Sequence, residues 1–482
     1  MNSAMKKSIR INALLNMIKQ IMQVIFPIIT IPYITRTLLP TNYGKINTGN
    51  SLISYIALIA GLGIANYAIR EGSLVRDDKE KLNYFSSQVF SINILSTVVS
   101  YIILAGIVFL VPHYQEYRLL LTIQGISVIF TTLGADWINS IEEDYLYLTI
   151  RYILLHVISL VLMFLLVKKP EDYYIYAAIT LVTSVGANLM NVFYIRRYVR
   201  IRFTLNIDWK THLIPILILF GNSVAMTIYV SSDITMLEIY KGATEVGIYS
   251  VATKIYSIVK QTLNAILIVS IPRLTGYIGK GDKERFIQLG QSILNALITM
   301  MFPLIAGIIV FRTEAIGFAG GDEYLSGASS LFILILAVIP ALLATFYSGC
   351  VLMPLRKERY ILRGTVISAG INVGLNFIFI PLLGSEGAAI TTLISEIFVA
   401  AYFGYLVMRK EGYHFLVAKS VVMALIGTSL ILIVCLFMKS LFKNFALYFG
   451  LSVFVSFIVY WVVQIVGKNE VVMSILPNRK NR

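Results

Sequence analysis

The chain has little of what soluble enzymes and secreted domains are made from. Its 482 residues include two cysteines, four histidines and only 13% charged side chains. Cys350 and Cys435 both fall within apolar runs, so neither a disulfide framework nor a cysteine-rich metal cluster is available. Of His113, His156, His212 and His414, only His156 lies well inside an apolar run, where packing or a hydrogen bond is the first reading and proton carriage the second. Gly279-Lys280 lacks both the upstream glycine and the following hydroxyl residue of a phosphate-binding loop. ATP hydrolysis by that device is excluded. A Gly-x-Ser-x-Gly elbow and a zinc-spaced His/Glu motif are also missing, so the chain does not read as an enzyme and calls for no cofactor. The longest connections between apolar runs, around 196–212 and 269–286, are too short to fold alone.

Apolar sequence fills the space instead. Hydrophobic residues make up 57% of the chain and mean hydropathy is +0.79, far outside the usual globular mix. A membrane span needs about 20 mostly apolar residues, and fourteen stretches qualify. Their approximate limits are 12–37, 46–68, 84–110, 117–138, 147–167, 173–195, 213–238, 246–268, 287–310, 327–352, 361–382, 388–408, 417–438 and 444–466. The pattern predicts an all-α polytopic membrane protein with 14 transmembrane helices. A closed barrel is excluded because its strands alternate apolar and polar residues, whereas these runs are continuous. Lys19, Gln20 and Gln23 interrupt the first run, which therefore reads as a retained helix and not as a cleaved signal.

The net charge of +15 follows this topology. Lys and Arg crowd the alternate connections that include both termini, which places both ends in the cytoplasm and the protein in the cell membrane. The run of Arg196, Arg197, Arg200, Arg202 and Lys210 sits in one short inner connection. It reads as topology and contact with anionic headgroups, and no nucleic acid partner is expected.

Two short similarities link the halves of the chain at equivalent helix ends. Thr41-Asn42-Tyr43-Gly44 follows the first span and Glu245-Val246-Gly247-Ile248-Tyr249 follows the seventh, so that aligning Gly44 with Gly247 gives an offset of 203. Ala177-Ala178-Ile179-Thr180 and Ala388-Ala389-Ile390-Thr391 open the sixth and twelfth spans, at an offset of 211. Two pseudo-symmetric six-helix lobes are expected, 1–203 and 204–412, with two appended helices and a tail over 413–482. Because six is even, the repeat is parallel about an axis along the membrane normal.

Polar residues inside spans carry the functional signal. At about 100° per residue, Ser250, Thr253, Lys254, Ser257, Lys260, Gln261 and Asn264 share one arc of the eighth span, and apolar residues fill the rest. Two lysines on a buried face need water, a counter-charge or an anionic ligand. The first span repeats the theme with Asn12, Asn16, Lys19 and Gln23, and then carries Pro27 and Pro32, which mark either a moving element or a fixed kink. Asp233 and Glu396 supply buried negative charge. Coupling or gating is one role for them, and a structural ion pair of Asp233 with Lys254 is the other. Ser368, Asn372 and Asn376 are expected to make interhelical hydrogen bonds. Trp137 is expected at the headgroup level, with a gate role for Asp136 as the weaker alternative.

The chain resembles bacterial polysaccharide flippases of the O-antigen and capsule (Wzx-type) family, within the multidrug/oligosaccharidyl-lipid/polysaccharide exporter superfamily. The resembling residues are Arg36 through Pro40, Tyr43-Gly44, Gly61-x-Gly63, Asp136-Trp137, Asp233, Gly247-Ile248-Tyr249-Ser250 and Pro272-Arg273, then Asn372-x-x-x-Asn376, Pro381, Gly384 and Gly387-Ala388-Ala389. Leu39 departs from the pattern, since relatives often carry glycine before that proline. The resemblance implies paired six-helix lobes. It also implies that an undecaprenyl-diphosphate-linked oligosaccharide is moved from the inner to the outer leaflet by alternating access through a cationic central cavity. Lys19, Gln23, Lys254, Lys260, Gln261 and Asn264 are the candidates for binding that substrate, and Asp233, Glu396, Pro27 and Pro32 for coupling or gating. The partners it implies are the lipid-linked substrate, the bilayer and polysaccharide polymerase or assembly proteins, with a single chain as the working unit. A cation-coupled multidrug exporter of the same superfamily is the main rival, and a membrane polymerase or glycosyltransferase the more distant one. Three span lysines against Asp233 and Glu396 favour an anionic substrate.

Overall fold

In lipid every backbone N–H and C=O must be satisfied within the chain, and the fold does so almost entirely with helices. The computed structural model describes residues 9–475; the side chains of a few of these, Lys19 and residues 9–17 among them, lie outside the described set. No strand occurs among the described residues. The long helices are α1 (Ile9–Gly61), α3 (Lys79–Leu110), α4 (Arg118–Gly134), α6 (Tyr145–Leu166), α7 (Tyr173–Tyr194), α8 (Trp209–Lys241), α9 (Ala243–Gly279) and α10 (Lys283–Val310). They continue with α12 (Ala328–Thr345), α13 (Glu358–Leu383), α14 (Ser385–Tyr405), α15 (Ala418–Leu441) and α16 (Phe445–Val466). Short helices α2 (Ile64–Gly72), α5 (Trp137–Ile141), α11 (Arg312–Gly320) and α17 (Glu470–Ile475) lie between or after them.

Thirteen helical stretches are long and apolar enough to cross a membrane among the described residues. The first of them accounts for two expected spans. Helix α1 has 53 residues and breaks at Leu39, where φ is 62° and ψ is 167°. Unbroken it would measure about 80 Å, more than twice a hydrocarbon core of about 30 Å. Leu39 takes a positive φ that glycine adopts without strain. A second interruption, at Leu62 and Gly63, splits the expected 46–68 span into the end of α1 and α2. Helix α9 runs on through Pro272 to Gly279, so the expected loop at 269–286 shrinks to residues 280–282.

Contacts divide the chain into two compact units, one reaching to Ser250 and including Ala319–Glu323, the other comprising Val251–Phe318 and the chain from Tyr324 onward. The boundary falls inside α9. In the first unit the turns sort to opposite ends. At one end Tyr33 Oη donates to Val167 O (2.6 Å), Asn42 Nδ2 donates to Pro170 O (2.8 Å) and Lys45 pairs with Glu116 (2.8 Å). At the other, Arg76 pairs with Glu143 (2.9 Å), Arg197 binds Asp144, and Tyr67 Oη meets His212 Nδ1 (2.7 Å).

The basic connection before α8 is ordered by matched periodicities. Arg200 N donates to Asn83 Oδ1 (2.7 Å), Arg202 N to Ser87 Oγ (3.1 Å) and Thr204 N to Ser91 Oγ (2.9 Å). Two residues of extended chain advance about 6.6 Å and four residues of helix about 6 Å, so each step along the strap meets the next turn of α3. Asp78, Asp208 and Asp282 accept backbone N–H bonds as the N-caps of α3, α8 and α10, satisfying orphan donors where those helices begin.

In the second unit the two last spans dock against α10 and α11. Tyr460 Oη donates to Thr299 O (2.7 Å), and Glu314 accepts from Lys439 Nζ (2.6 Å) and Tyr448 Oη (2.9 Å). Burial raises the Glu314 carboxyl pKa, but the bonds from Lys439 and Tyr448 outweigh it and leave the group below the ordinary glutamate value.

Candidate functional site

Residues that the expected repeat would pair meet in a reciprocal contact. Thr41 Oγ1 lies 2.8 Å from Thr244 Oγ1, its equivalent at an offset of 203. A Cβ added at Gly44 would sit 1.7 Å from Ala243 O, and one added at Gly247 would sit 2.0 Å from Pro40 O. Pro40 and Ala243 are themselves equivalent at the same offset. Each turn therefore presents a backbone carbonyl to the glycine of the other, the pattern of a two-fold contact. Neither glycine has room for a side chain.

Helix α9 does not bury the two lysines as expected, and the exposure of its polar residues differs along the helix. Lys254 and Gln261 are exposed, Lys260 is half-buried, and Lys254 has no ion-pair partner among the described residues. Lys260 Nζ reaches Glu396 Oε1 on α14 at 3.0 Å and Tyr256 Oη, one turn back, at 3.3 Å. Tyr256 Oη also donates to Glu396 Oε1 (3.3 Å). The Glu396 side chain is 6% exposed and that of Lys260 31%, so the acid is inside and the base at the rim. Asn264 Oδ1 is buried without a hydrogen-bond partner among the described residues. Two of the three ammonium hydrogens of Lys260 are engaged, which leaves a donor for a further acceptor.

Other expected residues are placed differently. Asp233 is buried and accepts from Tyr249 Oη (3.0 Å). Gln23 is exposed, Pro27 and Pro32 are half-buried within α1, and the Lys19 side chain lies outside the described residues. The stripe on α13 makes the expected interhelical bonds, with Ser368 Oγ donating to Ser395 O (3.0 Å) and Thr391 Oγ1 to Asn376 Oδ1. His156 packs on Phe26 and Tyr152, in keeping with the packing reading. Trp137 departs from expectation. It is 6% exposed inside a core cluster with Ile138, Ile141 and Leu82, because α5 turns it inward and not toward headgroups. Asp136 binds Arg151 (2.7 Å), whose side chain is 5% exposed.

Two groups were not singled out from the sequence. Glu238 is 3% exposed near the end of α8 and accepts from Tyr117 Oη and Thr48 Oγ1 (3.1 Å). The expected span stopped at 238, although the absence of a breaker before Gly242 signalled that the helix continues. Tyr256 sits four residues before Lys260, the spacing of neighbours on one helix face.

Comparison with known proteins agrees with this architecture. A family model described as polysaccharide biosynthesis protein matches residues 9–277, more than half of the chain, and a MatE model matches residues 218–378. A putative O-antigen transporter of Escherichia coli (strain K12) is 22% identical over 402 residues, covering 82% of this chain and 96% of that one. A probable low-salt glycan biosynthesis flippase, Agl15 of Haloferax volcanii, is 25% identical over 178 residues, or 36% of this chain and 37% of its own. Among solved structures, the lipid II flippase MurJ in an inward closed conformation superposes with a TM-score of 0.73 at 15% identity, covering 95% of this chain and 99% of that one. An inward-facing MATE family transporter superposes with a TM-score of 0.59 over 81% of this chain and 98% of its own. These structural likenesses concern the fold. The family match is the broader finding: this chain, with its membrane-spanning helices and the polar residues of α9, belongs to the polysaccharide biosynthesis protein family.

Proposed function

We propose that the protein flips a lipid-linked oligosaccharide, carried on a polyprenyl diphosphate, from the cytoplasmic to the outer leaflet of the cell membrane. The observation that carries this reading is the open basic face of α9, where Lys254 is exposed with no ion-pair partner among the described residues and Lys260 retains a donor. A diphosphate and a hydrated glycan cross hydrocarbon only if polar groups replace their water, and cations on a membrane-spanning helix lower that barrier. The names of the relatives, an O-antigen transporter and two flippases, support the same class of cargo. Both termini lie on the cytoplasmic side in this reading, because the end holding the basic strap at 196–210 is then the inner one. A single chain works alone, with polymerase and assembly proteins receiving the product.

Deleting the gene is expected to trap lipid-linked repeat units on the cytoplasmic leaflet, with Lys254→Gln restoring transport less well than Lys254→Arg. Normal delivery of units to the outer leaflet in the deletion strain refutes the reading. The MatE match over 218–378 favours a second reading, export of a cationic drug driven by an ion gradient. Uptake of a cationic dye into inverted vesicles, dependent on the protein and indifferent to Lys254→Gln, identifies that alternative.

A further inference from the structure

Lys254 and Lys260 share a helix face but differ in state, and the difference is supplied by one acid. Lys254 is exposed and has no ion-pair partner among the described residues; Lys260 is held by Glu396. A partly buried pair of this kind adds little to stability against apolar residues of similar size, because desolvation of the ions offsets their attraction. Its effect on a third charge is larger. Glu396 Oε1 lies 3.0 Å from the ammonium that an arriving anion would use, so it competes for the same donors at the same place.

We propose that Glu396 is an internal counter-ion, displaced from Lys260 by the substrate diphosphate, which ties the α9–α14 contact to site occupancy. This inference rests on the flippase reading above. A diphosphate meets exposed Lys254 first and the free third hydrogen of Lys260 next. As it takes over the ammonium, Glu396 loses its cationic partner and keeps the hydroxyl of Tyr256. The α9–α14 tie is thereby weakened only when cargo is bound, and a monophosphate, with less charge to offer, displaces the acid less completely. Tyr256 is a positioning residue in this scheme: it bonds both members of the pair and holds Glu396 ready to recapture Lys260 once the anion leaves.

The test is equilibrium binding of polyprenyl diphosphate and polyprenyl monophosphate to the full-length purified protein in lipid nanodiscs. Wild type is compared with Glu396→Gln, Glu396→Asp, Lys254→Gln, Lys260→Gln and the Lys260→Gln/Glu396→Gln pair. Glutamine keeps an acceptor for Lys260 and the shape of the site while removing the competing charge. Glu396→Gln is expected to tighten diphosphate binding by roughly 5- to 150-fold, the usual span for coupled ligands. Glu396→Asp should bind close to wild type. In the Lys260→Gln background Glu396→Gln should give no gain, since the competition has lost its object. Unchanged or weaker binding by Glu396→Gln, with wild type still binding and Lys254→Gln still impaired, overturns the counter-ion and leaves the flippase reading standing. Failure of wild type to prefer diphosphate, with no loss in either lysine variant, overturns both.

Discussion

Replacing Gly44 with alanine puts one methyl group where the structure has none to give. The new Cβ would lie 1.7 Å from the Ala243 carbonyl oxygen. Carbon and oxygen that are not bonded to one another approach to about 3.3 Å at closest, so the two turns must separate by roughly 1.6 Å or the helices must tilt. The opposing atom is backbone, which cannot swing aside as a side chain would. Overpacking of this kind costs about 1–3 kcal/mol, which shifts a two-state contact by about 5- to 150-fold toward its open form. The separation can be read directly, because Thr41 and Thr244 hydroxyls stand 2.8 Å apart at the same contact while the native Cys350 and Cys435 are buried. In a Thr41→Cys/Thr244→Cys background, a short bifunctional thiol reagent should join the pair efficiently. Adding Gly44→Ala should cut the rate at least fivefold. Gly247→Ala, its symmetric counterpart, should do the same, and the double variant should add little because the turns have already parted. Equal crosslinking rates with and without Gly44→Ala, at equal protein yield, would refute the reasoning, since they would mean that the carbonyl contact is not populated in the membrane.

Two further outcomes follow from hydrogen-bonded acids. Tyr117→Phe removes a donor from Glu238 and leaves a buried carboxylate oxygen short of a partner, so thermal unfolding in detergent should show a loss of about 1.5–3 kcal/mol, the range for hydrogen bonds to charged groups; an unchanged midpoint would contradict the placement of Glu238. The Glu314 tie to Lys439 and Tyr448 holds that carboxyl below its ordinary value, so the stabilisation is present above about pH 4.3 and is lost as pH falls through the lower folded value. Amide protection over residues 312–320, taken relative to the intrinsic exchange rate at each pH, should therefore be equal at pH 7 and pH 5 and should fall only in stronger acid, whereas a loss of protection between pH 7 and pH 5 would count against the tie.

Composition and run length determined that this chain is a polytopic helical membrane protein, because hydrocarbon leaves a backbone few alternatives. The spacing of Lys254, Lys260, Gln261 and Asn264 determined that α9 has a polar face, since helix geometry is fixed at 3.6 residues per turn. The offset of 203 pointed to a repeat. Sequence alone did not decide which groups meet. That Gly44 and Gly247 press against each other's turns, that Lys260 is neutralised by Glu396 while Asp233 takes a hydrogen bond from Tyr249, and that Trp137 turns into a core are properties of helices brought together over separations of up to 207 residues. Periodicity is a local property and constrains one helix at a time. Partner choice depends on how neighbouring helices cross and on the depth at which each side chain arrives, and both are set by packing, which only the tertiary structure resolves.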